Sequence, residues 1–316
     1  MADLPPLSTQ DTRGSVSAVP MHEVDPSPVD DDDYPTNPSD LEGSKLPPSH
    51  YNTTNWLGLT PARTQHILLA VQKYSVVPFS AYLAMHYTNT ALIPLLTGSA
   101  READKYLLLT RPYYQSFPLE PLLIFVPVIT HVASGIALRL YRRRLTARRH
   151  GAETLSQRRK MKSKIPWPKL SLTSAAGYAL YPMFVAHMLS MRIIPKQVDG
   201  SSASVGLRYF AHGIAQDPYI GMTSYALFVS VASYHVVSGA AKFLKLSAEY
   251  VVGGGDEGRK RRTWRGRIVN GVAAAIAGAW VAGGLGVVGT AGRGTGWEAS
   301  HWDKIYRAMP VIGRLF

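Results

Sequence analysis

Five runs of predominantly apolar residues limit what this chain can fold into; they lie at about 74–96, 119–141, 172–194, 219–244 and 267–290. A helix of about 20 residues crosses the roughly 30 Å hydrocarbon core of a bilayer. Hydrocarbon offers the backbone no water to bond, so each run must satisfy its own amides as a helix. The expected fold is therefore an all-α membrane protein, a bundle of five transmembrane helices. The first helix starts well before its span: Thr60 is a suitable cap and Pro61 fits the first turn, with Gln72 and Lys73 near the interface. In the fifth run Ala275, Ala279 and Gly283 recur every fourth residue, a ridge of small side chains suited to close helix packing.

Charge is segregated along the 316 residues. The first fifty hold ten acids and two bases, a net −8, which leaves +21 on the rest of a chain whose total is +13. Nine prolines share that stretch. So charged a segment buries too little apolar surface to fold, and residues 1–55 are expected to be a disordered tail. The transmembrane domain then spans 56–292 and a C-terminal tail 293–316. The tail has no apolar signal core and is acidic, which argues against both secretion by a cleaved signal and import to the mitochondrial matrix. The absence of cysteine excludes disulfides and thiolate metal sites.

The basic residues gather in two loops. One runs from Arg142 to Lys164, the other from Arg259 to Arg267, while the connections at about 97–118 and 195–218 are far less basic. Five spans put both basic loops on the same side as the N-terminal tail, which the positive-inside rule makes cytosolic. Long apolar runs set against basic loops speak for membrane lipids rather than nucleic acid as the partner of this charge. The run Gly253-Gly254-Gly255 has no preceding strand and reads as a linker, not a phosphate cradle.

The chain carries an internal duplication. His131-Val-Ala-Ser-Gly135 in the second run matches His235-Val-Val-Ser-Gly239 in the fourth. Tyr74 precedes Pro78 as Tyr178 precedes Pro182, and His86 precedes Pro94 by the same eight residues that separate His187 from Pro195. The bundle thus reads as two two-helix repeats plus a fifth helix. It places one histidine in each of four spans, where ionisable groups are costly and usually face the bundle interior. Neutral imidazole is an axial ligand for haem iron. His131 with His235, and His86 with His187, are the pairs that would hold haem b, and Gly135 and Gly239 lie one turn away, where a missing side chain admits a flat ring. Hydrogen bonding between helices is the other role open to these histidines.

Two resemblances follow from these residues. Tyr234-His235-Val236-Val237-Ser238-Gly239, and Thr130-His131-Val132-Ala133-Ser134-Gly135 with Arg139, resemble the haem-ligand helices of succinate dehydrogenase and fumarate reductase cytochrome b subunits, although the second histidine of that motif is absent. Gln72-Lys73-Tyr74-Ser75 with His86 and the His131 and His235 helices resemble the transmembrane domain of a fungal mitochondrial outer-membrane adaptor family that compensates for loss of the ER–mitochondria encounter structure. That resemblance implies a non-enzymatic adaptor in lipid homeostasis at membrane contact sites. It also implies recruitment of a bridge-like lipid-transfer protein of the vacuolar-sorting family by a Pro-x-Pro motif in the tail, here Val24-Asp25-Pro26-Ser27-Pro28-Val29. The first resemblance implies instead a b-type haem electron-transfer protein with bis-histidine ligation.

Overall fold

A computed structural model describes residues 54–55, 57–152, 154–164, 167–310 and 313. The acidic tail and its Val24–Val29 motif lie outside the described residues. All regular structure among the described residues is helical. Four helices are long and apolar enough to cross a membrane: α1 (Pro61–Thr97), and the helices over Pro121–Arg148, Pro218–Tyr250 and Gly255–Gly289. With the shorter elements counted in chain order, α2 is Ala100–Thr110, α3 Pro121–Arg148, α4 residues 172–199, α5 Leu207–Ile214, α6 Pro218–Phe243, α7 Gly255–Gly289 and α8 Gly296–Arg307. The third expected span is α4. It is helical throughout and lies along α6, yet Thr173, Ser174, Tyr178, Tyr181, Pro182, His187 and Ser190 dilute its apolarity, so length and composition single out four helices.

Local chemistry sets the boundaries. Thr60 accepts the Arg63 amide at the start of α1, Ser171 accepts Ser174 before α4, and Asp217 accepts Ile220 before α6, where Pro218 opens the first turn. Gly98 (φ 64°) and Gly200 (φ 73°) end α1 and α4 in the left-handed region. Helix α7 starts twelve residues before the expected span. Asp256 and Glu257 sit in its positive first turn and pair with Arg259 and Lys260 one turn on, which extends the helix through the basic segment.

Two π turns interrupt the long helices at matching places, Thr88–Leu92 in α1 and Leu189–Ile193 in α4. Each begins within two residues of a histidine and ends just before a proline, which lacks the amide for an ordinary helical bond. Side chains of each π turn bond carbonyls of the turn before it. The Thr88 hydroxyl donates to the Ala84 carbonyl (2.9 Å), Asn89 Nδ2 to Met85 (2.8 Å), Thr90 to His86 (2.7 Å) and Ser190 to His187 (3.0 Å).

Helix α3 shows how the bundle faces its surroundings. Leu122, Val126, Ile129, Ile136 and Leu140 are all exposed and recur at helical spacing, one apolar stripe turned outward. On the other side Ile124, Ser134 and Leu138 are buried. Apolar residues outside and hydroxyls inside suit a hydrocarbon solvent. Helix α1 packs against α3, α4 against α6, and α6 against α7. Of the small-residue ridge only Gly283 is buried: an added Cβ there would stand 2.0 Å from the Ala91 carbonyl oxygen, whereas Ala275 is exposed. The π stretch Val281–Gly289 turns the end of α7 toward α1, so contact concentrates at Gly283.

The densest core lies at the end of the bundle away from the basic loops. Ala100, Ala103 and Leu107 of α2 pack on Leu207 and Ala211 of α5 and Val288 of α7. A neighbouring cluster joins Ile194, Val205 and Tyr209 to Trp302, Ile305, Tyr306 and Met309. The segment read only as a C-terminal tail, 293–316, thus contributes α8 to a cap. At its centre His212, 1% exposed, accepts the Gly294 amide at Nδ1 (3.1 Å) and donates from Nε2 to Asp303 (2.8 Å), which also accepts Gln216 (3.1 Å). The amide bond at Nδ1 fixes the proton on Nε2.

Two predictions concern packing. Gly283→Leu should lower the thermal unfolding midpoint in detergent by several degrees, since overpacking costs about 1–3 kcal/mol. Gly278→Ala, where an added Cβ meets nothing within 4 Å, should leave the midpoint unchanged or raise it. In the cap, Asp303→Ala strands the buried His212 donor, a loss of about 1–3 kcal/mol. Asp303→Asn keeps an acceptor there, so the same melting experiment should show a smaller drop.

Candidate functional site

The four histidines of the long helices come together as the two expected pairs. His131 and His235 have ring centroids 6.2 Å apart, and His86 and His187 have theirs 6.0 Å apart. All four are half-buried and face the interior of the bundle rather than its apolar outer stripe. The pairs differ in what surrounds them.

His131 and His235 are held by backbone. His131 Nδ1 bonds the Gln72 carbonyl of α1 (3.0 Å) and His235 Nδ1 the Thr173 carbonyl of α4 (2.9 Å). A carbonyl accepts, so each Nδ1 donates. Glycine permits the close approach, at one expected place and one unexpected. Gly135 faces the Gln72 side chain, whose amide nitrogen lies 2.8 Å from where a Cβ would be. Gly177, which no motif marked, lets the His235 ring come within 2.6 Å of its own missing Cβ. Gly239, the expected partner of Gly135, meets nothing within 4 Å.

His86 and His187 line a cavity of about 170 Å³ toward the cap. Tyr82 stacks on His86 (5.4 Å, 21° between planes) and Trp280 meets it edge-on (6.2 Å). Phe228 lies 5.3 Å from His187, and the Tyr225 hydroxyl is 3.4 Å from its Nδ1. Trp280 also donates to Thr90 (3.1 Å), which ties α7 to the π turn beside His86.

The polar end of the cavity is built from residues that sequence patterns did not mark. Arg192, in the π turn of α4, donates to both oxygens of Glu120 (2.5 and 2.6 Å) and to the Ser202 hydroxyl. Arg111 donates to the carbonyls of Ser202 (3.3 Å) and Ala203 (3.2 Å), while its Nε is buried without a partner. Burial pulls the Arg111 pKa below its ordinary value, opposed by Tyr114 and Asp104. Asp104 accepts the first amide of α5 from Leu207 (2.8 Å); burial raises its carboxyl pKa, and that bond and Arg111 act the other way. Each of these side chains is single in the sequence, and only the cap folding over the bundle gathers them.

Residues 182–293 match the family described as MDM10-complementing protein 1, transmembrane domain. That segment takes in His187, His235 and the whole of α5, α6 and α7. The mitochondrial adapter protein MCP1 of Saccharomyces cerevisiae is 22% identical over 249 residues, which cover 71% of this chain and 81% of that protein. No solved structure matches the chain. Both comparisons mark similarity to the same family, that of the MDM10-complementing protein 1 transmembrane domain.

Proposed function

We propose that this chain is a mitochondrial membrane adaptor that recruits a lipid-transfer partner through its N-terminal tail, and that it acts by binding rather than by turnover. The observation that carries this reading is the similarity to a mitochondrial adapter over 249 residues, which extends well beyond any single helix. Two features of the chain support it. The apolar, outward-facing stripe of α3 anchors the bundle in lipid. The tail concentrates acid and proline, and an extended proline segment docks with little ordering entropy, Val24 and Val29 filling small pockets on either side of Pro26 and Pro28.

In this reading the protein sits in the mitochondrial outer membrane with five spans, α1, α3, α4, α6 and α7, and with its N-terminus and both basic loops in the cytosol. The fifth span is α4, which runs along α6 and must return the chain from the basic end to the cap. The two-repeat origin draws support from the matching π turns after His86 and His187, and from the matching carbonyl bonds of His131 and His235. The basic loops lie at the headgroups of anionic lipids, and the partner bridges to a second membrane to serve lipid homeostasis.

The test is the double variant Pro26→Ala, Pro28→Ala in cells. Mitochondrial membrane residence should persist, and recruitment of the lipid-transfer protein to mitochondria should be lost. Undiminished recruitment by a correctly placed variant would eliminate this motif as the docking element.

A further inference from the structure

We propose that the cavity under the cap binds a small amphipathic monocarboxylate, its apolar body against the aromatic wall and its carboxylate on Arg111. The proposal goes beyond the adaptor reading and does not depend on it.

Size limits the ligand first. The cavity measures about 170 Å³. An apolar cavity of about 150 Å³ takes up one molecule the size of benzene. There is room for a single ring or a short alkyl chain, and too little for a tetrapyrrole or the two acyl chains of a phospholipid. The wall then selects the body. Ile124 of α3, Phe184 of α4, Phe228 of α6 and Trp280 of α7 all line the cavity, an apolar and mostly aromatic surround.

The polar end selects the head group. Arg111, Arg192 and Glu120 line it. Arg192 donates to both Glu120 oxygens, so those two charges satisfy each other. Arg111 is differently placed. Its Nη1 donates to the carbonyls of Ser202 and Ala203, which are neutral, and its Nε is buried without a partner. Asp104 offsets part of the Arg111 charge, but it accepts the Leu207 amide and does not line the cavity. Almost every buried N–H in a folded protein has an acceptor, and this one calls for an anion. A carboxylate suits it better than a phosphate. The edge of a guanidinium offers parallel donors that match two carboxylate oxygens. A phosphate would bring a third oxygen and up to about two charges, with Arg111 to answer them, into an aromatic surround.

The experiment titrates the full-length protein in lipid nanodiscs, by calorimetry, with sodium benzoate and with sodium hexanoate. Saturable binding at a single site is expected, with a thermal unfolding midpoint that rises with ligand concentration. Benzamide has the same size without the charge and should bind at least about tenfold more weakly. Phenyl phosphate should also bind more weakly than benzoate. Arg111→Gln should weaken benzoate by at least about tenfold, and Arg111→Lys, which keeps the charge without the fork, should fall between. Ile124→Phe fills the apolar end and should abolish binding with every charged group in place; with the benzamide comparison, it keeps the test decisive if Arg111→Gln does not fold. An Arg111 that only braces the cap through Ser202 and Ala203 would give no ligand dependence at all. Wild-type protein that binds neither carboxylate saturably would overturn the proposal. So would equal affinity for benzamide, tighter binding of phenyl phosphate, or undiminished binding by a folded Arg111→Gln or Ile124→Phe variant.

Discussion

Hydrocarbon cannot hydrogen-bond, and the rest of the architecture depends on that constraint. Any carbonyl released from the helical ladder inside the bundle must find a partner within the protein. Around the π turns that precede Pro94 and Pro195, the side chains of Thr88, Asn89, Thr90 and Ser190 bond the carbonyls of Ala84, Met85, His86 and His187. The resulting π turns rotate the helix face just beyond His86 and His187. They bring Thr90 under Trp280 in α1 and Arg192 to Glu120 in α4. A requirement of backbone bonding therefore also builds the cavity.

The same constraint explains why the two ends differ. Inside the membrane apolar side chains gain little from turning inward, so the spans meet through small residues and single polar contacts such as His131 to Gln72. At the cap, α2, α5 and α8 pack a core with Tyr209, Ile305 and His212 almost fully buried. The Glu120–Arg192 pair, with side chains 14% and 19% exposed, joins α3 to α4 beside that cap. Burying such a pair adds little net stability, because desolvation offsets the attraction; its consequence is a fixed register between α3 and α4.

Much of this was legible in the sequence because the bilayer imposes a length and a polarity that single residues report. Thr60–Pro61 announced a helix start that the structure keeps. The histidine pairing was legible because the repeat carries each residue with its neighbours, so His131 and His235 arrive at equivalent positions. Gly177 was not legible: nothing in its neighbourhood distinguishes it from any other helical glycine, and only the approach of α6 gives it meaning. The charged end of the cavity was hidden for a similar reason, since Arg192 lies 72 residues beyond Glu120.

The sequence by itself determined that the chain is helical, where its long apolar runs lie, and that His86, His131, His187 and His235 each fall in a different helix. These follow from local composition and period, which act within a few turns of one helix. The tertiary structure decided which histidine pair has space beside it, that the last segment closes a cap, and that Gly283 rather than Ala275 makes the close contact. Those outcomes depend on how helices distant in sequence cross, and crossing is set by side-chain shape and by buried polar groups finding partners, neither of which is written at any single position.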